Sequence, residues 1–260
     1  MASNVMTRQW LILGAALLLI GSLIGWNLYA NHNAADVRER EWLSHQAGII
    51  DQNIRGQLLA TNHGLDSIRD DLPFLKKQQD SKVLVNRRLQ AMSKIMPGVR
   101  TLFVFDADAT VTASNREELI GRNFRQRDYY QAARKSGDPA QLSISPPYLT
   151  ALGAFAMTLV RVIPDERGEV AGMVGVTIDP DYFKVLLDSV SYGPGVLAYI
   201  AHGDGKLFLS SPHIDGLDGM DMAKPGTLFS RHLESGQTAT IFTGISDIAG
   251  SKCIIAQQSI

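Results

Sequence analysis

The stretch LFVFDADATVTAS, residues 102–114, decides the fold because a variant of it recurs later in the chain. A shift of 96 residues aligns FVFDADATVTAS (103–114) with YIAHGDGKLFLS (199–210), and Asp108 then falls on Asp204. Each copy has an apolar run, a turn rich in aspartate or glycine, and a second apolar run. This pattern predicts a strand, a tight turn and a second strand.

Two further segments extend the repeat. ARKSG (133–137) aligns with HLESG (232–236), and the glycine at the end of each predicts the close of a short helix. IPDERGEVAGMVGVTI (163–178) aligns with ISDIAGSKCIIAQQSI (245–260), and both predict hairpins that turn at Asp-x-x-Gly. Strand, turn, strand, short helix and hairpin predict an α+β fold with antiparallel sheets and helices to one side.

The aspartates of the first copy allow a second interpretation. An apolar strand followed by Asp106-Ala-Asp108 resembles the nucleophile motif of the haloacid-dehalogenase phosphatases, in which the first aspartate attacks phosphorus and the second is the general acid. Such an enzyme needs parallel strands and a further acidic pair for magnesium. The repeat instead aligns Asp106 with His202. A membrane-anchored phosphatase using Asp106 and Asp108 is therefore the alternative hypothesis.

The N-terminal region predicts a membrane anchor. No charged residue occurs from Gln9 to Ala35, and WLILGAALLLIGSLIGWNLY (10–29) has about the 20 apolar residues that cross a bilayer. We predict a transmembrane helix at 10–30, and Arg8 places residues 1–9 in the cytoplasm by the positive-inside rule. A cleaved signal peptide is the alternative, but its apolar core is usually shorter, about 7 to 15 residues.

Residues 31–75 predict a long helix. Apolar side chains recur in steps of three and four, with one polar lapse at Thr61, and form a single helical stripe. The stripe consists of Leu43, Ala47, Ile50, Ile54, Leu58, Thr61, Leu65, Ile68 and Leu72. A helix of this length suits a stalk through which two copies form a homodimer. Packing against its own domain is the alternative, and both interpretations are compatible along different parts of the helix.

Composition argues against several classes of protein. The 25 basic and 26 acidic side chains nearly cancel and form no basic stripe, which argues against nucleic-acid binding. The single cysteine, Cys253, excludes a disulfide within the chain. The six histidines lack the spacing of metal ligands, so neither a metal nor a cofactor is expected.

The whole pattern resembles the double Cache domains, the PAS-like extracellular sensors of bacterial chemoreceptors, histidine kinases and diguanylate cyclases. The similarity covers about residues 30–260, and its most specific parts are LIGRNFRQRDYYQAARKSG (119–137), ISPPYL (144–149) and PDYF (180–183). The resemblance implies two tandem PAS-like antiparallel-sheet modules after the transmembrane and stalk helices. It also implies a non-enzymatic sensor portion on the outer side of the inner membrane, with a second membrane helix and an output region beyond Ile260.

In this family the membrane-distal module binds a small ligand and the membrane-proximal module usually binds none. We place the distal module at 76–190 and the proximal module at 191–260. The repeat supports the asymmetry, because its shift falls from 99 to 82 residues between helix and hairpin, which gives the first copy 17 more residues. This insert, DPAQLSISPPYLTALGAF (138–155), contains prolines and aromatics and predicts a lid over the sheet.

The resemblance also implies site residues. Many amino-acid-binding members carry an Arg-x-Trp-Tyr run, a later Tyr-x-Asp pair and an aspartate that closes the last strand of the module. The matching positions give the predicted ligand-binding residues Arg127, Tyr129, Tyr130, Tyr148, Thr150 and Asp179. Tyrosine replaces the tryptophan, and threonine replaces one aspartate that would bind an ammonium group. Capture of a carboxylate by Arg127 is therefore better supported than recognition of an α-amino acid.

Each of these residues also has a structural interpretation. Arg127 can pair with Asp128 or a helix carbonyl, and the two tyrosines that follow can belong to the core. Asp179 before Pro180 can cap the helix that begins there. Arg161 is a further pocket candidate, although an outward position in its strand is the default. A structural dimerisation module with an empty pocket is thus the third hypothesis.

Overall fold

The computed structural model describes residues 2–153, 155–191, 193 and 195–260. The helices are α1 (Ala2–Lys76), α2 (Ser81–Ile95), α3 (Asp128–Ser136), α4 (Pro180–Val190) and α5 (Leu228–Ser235), with a 3-10 turn at Glu117–Leu119. The first seven strands are β1 (Val99–Asp106), β2 (Val111–Ser114), β3 (Ser143–Ile144), β4 (Tyr148–Leu149), β5 (Phe155–Ala156), β6 (Thr158–Pro164) and β7 (Val170–Ile178). The last four are β8 (Ala198–Ala201), β9 (Leu207–Ser211), β10 (Ala239–Ile245) and β11 (Lys252–Gln258). All described strand pairs are antiparallel, which confirms the predicted α+β class.

Helix α1 joins the predicted membrane segment and the predicted long helix into one continuous helix. Its 75 residues span about 110 Å at 1.5 Å per residue. The part of α1 from Leu13 to Lys76 contains an 18-residue window that is apolar enough for a helix that crosses a bilayer. None of this window is buried inside the protein. Trp26, for example, is 73% exposed. This helix is compatible with the predicted anchor, while the side chains of the predicted cytoplasmic segment 1–9 lie outside the described residues.

The C-terminal half of α1 packs against its own domain. The stripe residues Leu65, Ile68 and Leu72 are buried in a core shared with α2 and one face of the first sheet. Partners in this core are Val85, Leu89, Met92, Leu102, Val104, Val174 and Val176. The stripe predicted from the sequence is therefore an intramolecular packing surface along this part of the helix.

The first sheet has five strands in the order β2-β1-β7-β6-β3. Alternation along β1 sends Leu102 and Val104 to the α1 side and Phe103 and Phe105 to the opposite side. On that opposite side, Tyr130 and Ala133 of α3 pack against the sheet and form a second core. The sheet thus has the long helix on one face and α3 with Tyr148 and Leu152 of the insert on the other. The start of the insert reaches α1, because Arg69 Nη1 donates a 3.0 Å hydrogen bond to the Pro139 carbonyl.

The turn that follows β1 is a structural feature. Asp106 Oδ1 accepts hydrogen bonds of 2.9 Å from the backbone N–H groups of Asp108 and Thr110. In the second copy, Asp204 N–H donates to His202 Nδ1 at 3.3 Å, as the repeat predicts. Asp106 ends an antiparallel strand, and its carboxylate is used by the turn. The phosphatase hypothesis, which requires a parallel sheet, is therefore contradicted by the fold.

The strands of the second half of the chain form two hairpins, β8-β9 and β10-β11, which are separate two-stranded sheets among the described residues. They meet through side chains, since Gln257 Nε2 donates a 3.0 Å hydrogen bond to the Tyr199 hydroxyl. This differs from the continuous sheet of the first half, where β1 pairs with β7 along its length. Strand β11 also packs against α1, and Arg55 of α1 donates to the Ser259 carbonyl.

His232 connects α5 with β10 and with the residue that follows β11. Its side chain is buried, and its ring nitrogens make 2.7 Å hydrogen bonds to the hydroxyls of Thr240 and Ser259. Burial lowers the pKa of His232, so the folded state holds the neutral ring. In the unfolded chain, His232 therefore takes up a proton as the pH falls below about 6.5. In the folded chain, the same side chain takes up a proton only at a lower pH.

We expect the stability of the chain to decrease as the pH falls from 8 to 5, and we expect His232→Asn to reduce this dependence. Chemical unfolding at several pH values measures it, with His213→Asn as the control because the His213 side chain is 49% exposed. An equal pH dependence in the wild type and in His232→Asn would contradict the role of His232.

Candidate ligand-binding site

A cavity of about 40 Å³ lies on the face of the first sheet that is turned away from α1. Strand β1 contributes Thr101, Phe103 and Phe105, and β7 contributes Thr177. The remaining lining residues are Arg100, Val111, Leu119, Phe124, Tyr129, Tyr148, Thr150, Ala151 and Leu152. A space of this size holds only a few water molecules, so a larger ligand enters only if the covering residues move.

The insert predicted as a lid covers this cavity. Its strands β4 and β5 form a short hairpin, and the turn between them brings Thr150, Ala151 and Leu152 to the cavity. Strand β3 of the same insert pairs with β6 at the edge of the sheet. The insert is thereby anchored to the sheet at one end and lies over the cavity at the other.

Two tyrosines form the wall between α3 and the lid. The rings of Tyr129 and Tyr148 stack with centroids 5.5 Å apart, and the Tyr148 hydroxyl shares a 2.7 Å hydrogen bond with Thr158 Oγ1. Burial raises the pKa of both phenols. They are therefore neutral at physiological pH and supply apolar ring faces together with hydroxyl groups.

Arg127 lies at the rim of the site. It immediately precedes α3, and its guanidinium carbon is 5.0 Å from the centre of the Tyr148 ring. Its Nη1 also donates to the Leu149 carbonyl at 3.4 Å. Arg127 is not among the residues that line the cavity. In this structure it holds the lid by a cation–π contact and a hydrogen bond.

The structure brings three of the six predicted site residues to the cavity: Tyr129, Tyr148 and Thr150. Tyr130 is fully buried in the core on the same side, and its hydroxyl donates to the Ala107 carbonyl at 2.7 Å. Asp179 accepts a 3.1 Å hydrogen bond from Asp181 N–H and caps α4, as its structural interpretation predicts. Neither Tyr130 nor Asp179 lines the cavity.

Arg100 and Thr101 both line the cavity, although neither was among the predicted site residues. The alternation of β1 predicts the orientation of Thr101, because it shares a face with Phe103 and Phe105. Alternation does not predict the orientation of Arg100, because the register between β1 and β7 shifts between Val99 and Thr101. No sequence signal marked this irregularity.

Arg161 occupies an inward position, contrary to the default for its strand. It is 6% exposed, and its guanidinium donates to Asn62 Oδ1 and Asp66 Oδ2 of α1, both at 3.0 Å. It also donates to the Ala140 carbonyl of the insert at 2.7 Å. One side chain of β6 thus connects the long helix with the segment that carries the lid.

Charge and metal-binding groups define what the site can hold. No aspartate or glutamate is among the described residues that line the cavity. Within the described ranges, no three His, Cys, Asp or Glu side chains are grouped so that they could hold a metal. The site therefore offers aromatic walls, hydroxyl groups and cationic side chains.

Comparison with solved structures defines the class of fold. The extracellular domain of rpHK1S-Z16, assigned to a histidine kinase, is 23% identical, covers 86% of this chain and 88% of its own, and superimposes with a TM-score of 0.70. The ligand-binding domain of the Pseudomonas fluorescens chemoreceptor CtaA, in complex with L-isoleucine, is 16% identical and covers 87% of both chains with a TM-score of 0.60. This chain has the fold of extracellular sensor domains.

Sequence comparison points to the same class. The methyl-accepting chemotaxis protein McpA of Pseudomonas putida is 31% identical over 91 residues, which are 35% of this chain and 14% of McpA. The chain thus spans about 14% of the length of the curated relative it matches. No protein-family model matches the chain. The resemblance to extracellular sensor domains is confirmed at the level of the fold.

Proposed function

We propose that this chain is the extracytoplasmic sensor portion of a membrane-anchored receptor. It binds a small carboxylate or amino-acid-like ligand in the cavity of the first module, residues 76–190. The observation that carries this proposal is the lidded aromatic cavity formed by Tyr129, Tyr148 and Thr150. The fold is shared with the domain of CtaA that was solved with L-isoleucine, which supports a small-molecule ligand. The second module, residues 191–260, binds no ligand in this proposal.

The structure suggests how an occupied cavity would influence the long helix. A ligand that displaces the lid would also move the insert, whose Ala140 carbonyl is bound by Arg161. Arg161 in turn binds Asp66 of α1 at 2.9 Å. Ligand binding would therefore favour one arrangement of lid, sheet and helix, and α1 would carry this shift towards the membrane.

The proposed membrane arrangement has α1 as a single-pass anchor. Residues 10–30 would lie in the inner membrane, with the two modules in the periplasm and two copies paired through the exposed parts of α1. The second module contacts α1 near Arg40 and Arg55, whereas the first contacts it from Ile54 to Leu72. The first module therefore lies farther along α1 from the anchor, which supports its assignment as membrane-distal.

The anchor model predicts how the chain partitions. The full chain should stay with membranes through an alkaline carbonate wash, because a helix over Trp10 to Tyr29 satisfies its own backbone hydrogen bonds in hydrocarbon. Deletion of residues 1–30 should release a soluble folded protein. Recovery of a mature chain beginning near Ala34 from native membranes would show cleavage and overturn the anchor.

The lid contact of Arg127 predicts a moderate loss of affinity on substitution. In this proposal the lid closes again over the bound ligand, so removing the cation–π contact that holds it closed should weaken ligand binding roughly 2- to 30-fold in Arg127→Ala. The matched control is Arg231→Ala in the second module, because Arg231 lies 4.7 Å from the centre of the Phe242 ring in the same geometry. Calorimetric titration measures both variants.

The control also tests the location of the site. A loss of binding in Arg231→Ala with none in Arg127→Ala would indicate that the ligand binds in the second module, and it would contradict this proposal. A structural dimerisation module without a ligand, the competing hypothesis, predicts that the wild type binds none of a broad panel of small carboxylates and amino acids.

A further inference from the structure

A β-bulge at Arg100 changes which side chains of β1 face the cavity. Val99 pairs with Ile178 and Thr101 pairs with Thr177, so Arg100 is the extra residue on β1. Val99 packs against the core on the α1 side, as Leu102 does, although strict alternation would place residues 99 and 102 on opposite faces. Arg100 and Thr101 consequently both line the cavity. Bulges often redirect a side chain next to a functional site.

Without the bulge, Arg100 would share the α1 side of the sheet with Leu102 and Val104, which are both fully buried. A charged side chain in that core would be costly. The extra residue instead places a cationic side chain on the cavity side of β1, near the N-terminal end of the strand. It does so without disturbing the apolar alternation from Leu102 to Phe105.

Arg100 also differs from the other arginines near the site. Arg127 contacts Tyr148 and Leu149, and Arg161 is held by Asp66, Asn62 and Ala140. Among the described residues, the Arg100 side chain makes no hydrogen bond or ion pair. It is therefore an available cation at the cavity.

The rest of the lining indicates the chemistry of the ligand beyond its anionic group. Seven apolar side chains are among the described residues that line the cavity: Phe103, Phe105, Val111, Leu119, Phe124, Ala151 and Leu152. No described lining residue is acidic, so an ammonium group on the ligand would enter without a counter-ion. Burial of an unpaired charge is strongly unfavourable.

We propose that Arg100 binds the carboxylate of the ligand, and that the ligand is an apolar monocarboxylate without an ammonium group. This inference rests on the proposed function, because it assigns a ligand chemistry to the same cavity. An arginine holds a carboxylate by two parallel charge-assisted hydrogen bonds, while the phenylalanine side chains of the lining accept the hydrocarbon part. The preference would differ from that of the CtaA domain, which was solved with L-isoleucine.

The test compares two probes that differ only in the amino group, 3-methylpentanoate and L-isoleucine. Calorimetric titration of the full chain in detergent micelles should show tighter binding of 3-methylpentanoate, by roughly 10-fold or more, because its binding buries no unpaired ammonium. Arg100→Gln should weaken binding of 3-methylpentanoate by roughly 10- to 150-fold, and Arg100→Lys should fall between it and the wild type.

Two control variants separate the possible failures. Arg87→Gln removes an exposed charge from α2 in the same module and should leave binding unchanged. Tyr148→Ala removes a wall of the cavity and should weaken binding of both probes. The melting temperature of each variant without probe shows whether it is folded.

The inference alone fails if L-isoleucine binds as tightly as 3-methylpentanoate. It also fails if Arg100→Gln binds like the wild type while Tyr148→Ala loses binding. If the wild type binds neither probe, or if a folded Tyr148→Ala binds both normally, the cavity does not take small carboxylates and the proposed function fails with the inference.

Discussion

Leu65→Ala is expected to lower the free energy of unfolding by about 2 to 5 kcal/mol, because it leaves a cavity in a packed core. Leu65 is 0% exposed on the face of α1 that contacts α2 and the first sheet. The matched control is Leu59→Ala on the same helix, where Leu59 is 55% exposed and the cost should be within about 0.5 kcal/mol. Urea unfolding followed by the near-ultraviolet signal of the buried tyrosines measures both variants.

The comparison tests whether the long helix is part of the sensor domain or a separate stalk. Equal costs for Leu65→Ala and Leu59→Ala would contradict packing of α1 against the first module. Such a result would also remove the physical connection between the cavity and the helix, because the proposed route passes through this interface.

Asp66→Ala is expected to cost about 3 kcal/mol or more, since removal of one partner leaves a buried charge uncompensated. Arg161 is 6% exposed, and its Nη1 lies 2.9 Å from Asp66 Oδ1. The control is Asp36→Ala, because Asp36 forms an exposed pair with Arg40 at 2.8 Å and should cost about 0 to 1 kcal/mol. The same urea unfolding measures this difference.

A double replacement separates stability from coupling. Asp66→Leu combined with Arg161→Met exchanges the ion pair for apolar side chains and should restore most of the lost stability. The ligand-induced change in α1 should still be weakened, because the connection through Arg161 is gone and the hydrogen bond from Arg69 Nη1 to the Pro139 carbonyl of the insert remains. If Asp66→Ala costs no more than Asp36→Ala, the pair is not the buried link proposed for the transmission of the signal.

The features predicted correctly are those that local sequence patterns determine. The aligned strand pairs and the glycines that end α3 and α5 revealed the repeat, because turns and helix ends require particular residues. The stripe from Ile54 to Leu72 follows from helical periodicity. The difference of 17 residues between the copies located the lid.

The features that were missed depend on long-range packing. The bulge at Arg100 arises from the register of β1 against β7, which lies more than 70 residues away along the chain. The contact of Arg161 with Asp66 joins residues 95 positions apart. Tyr130 follows Tyr129 directly and both rings belong to the same core, yet only Tyr129 also lines the cavity. Residue type alone does not distinguish these positions.

The central claim is that the ligand lies in the cavity of the first module. The most direct measurement is a set of intermolecular nuclear Overhauser effects between bound 3-methylpentanoate and methyl-labelled leucine and valine residues of the full chain in micelles. We predict contacts to the methyl groups of Val111 and Leu119, which line the cavity. Contacts to Leu207 or Leu217 in the second module instead, or an absence of contacts to any of these methyl groups, would contradict the claim.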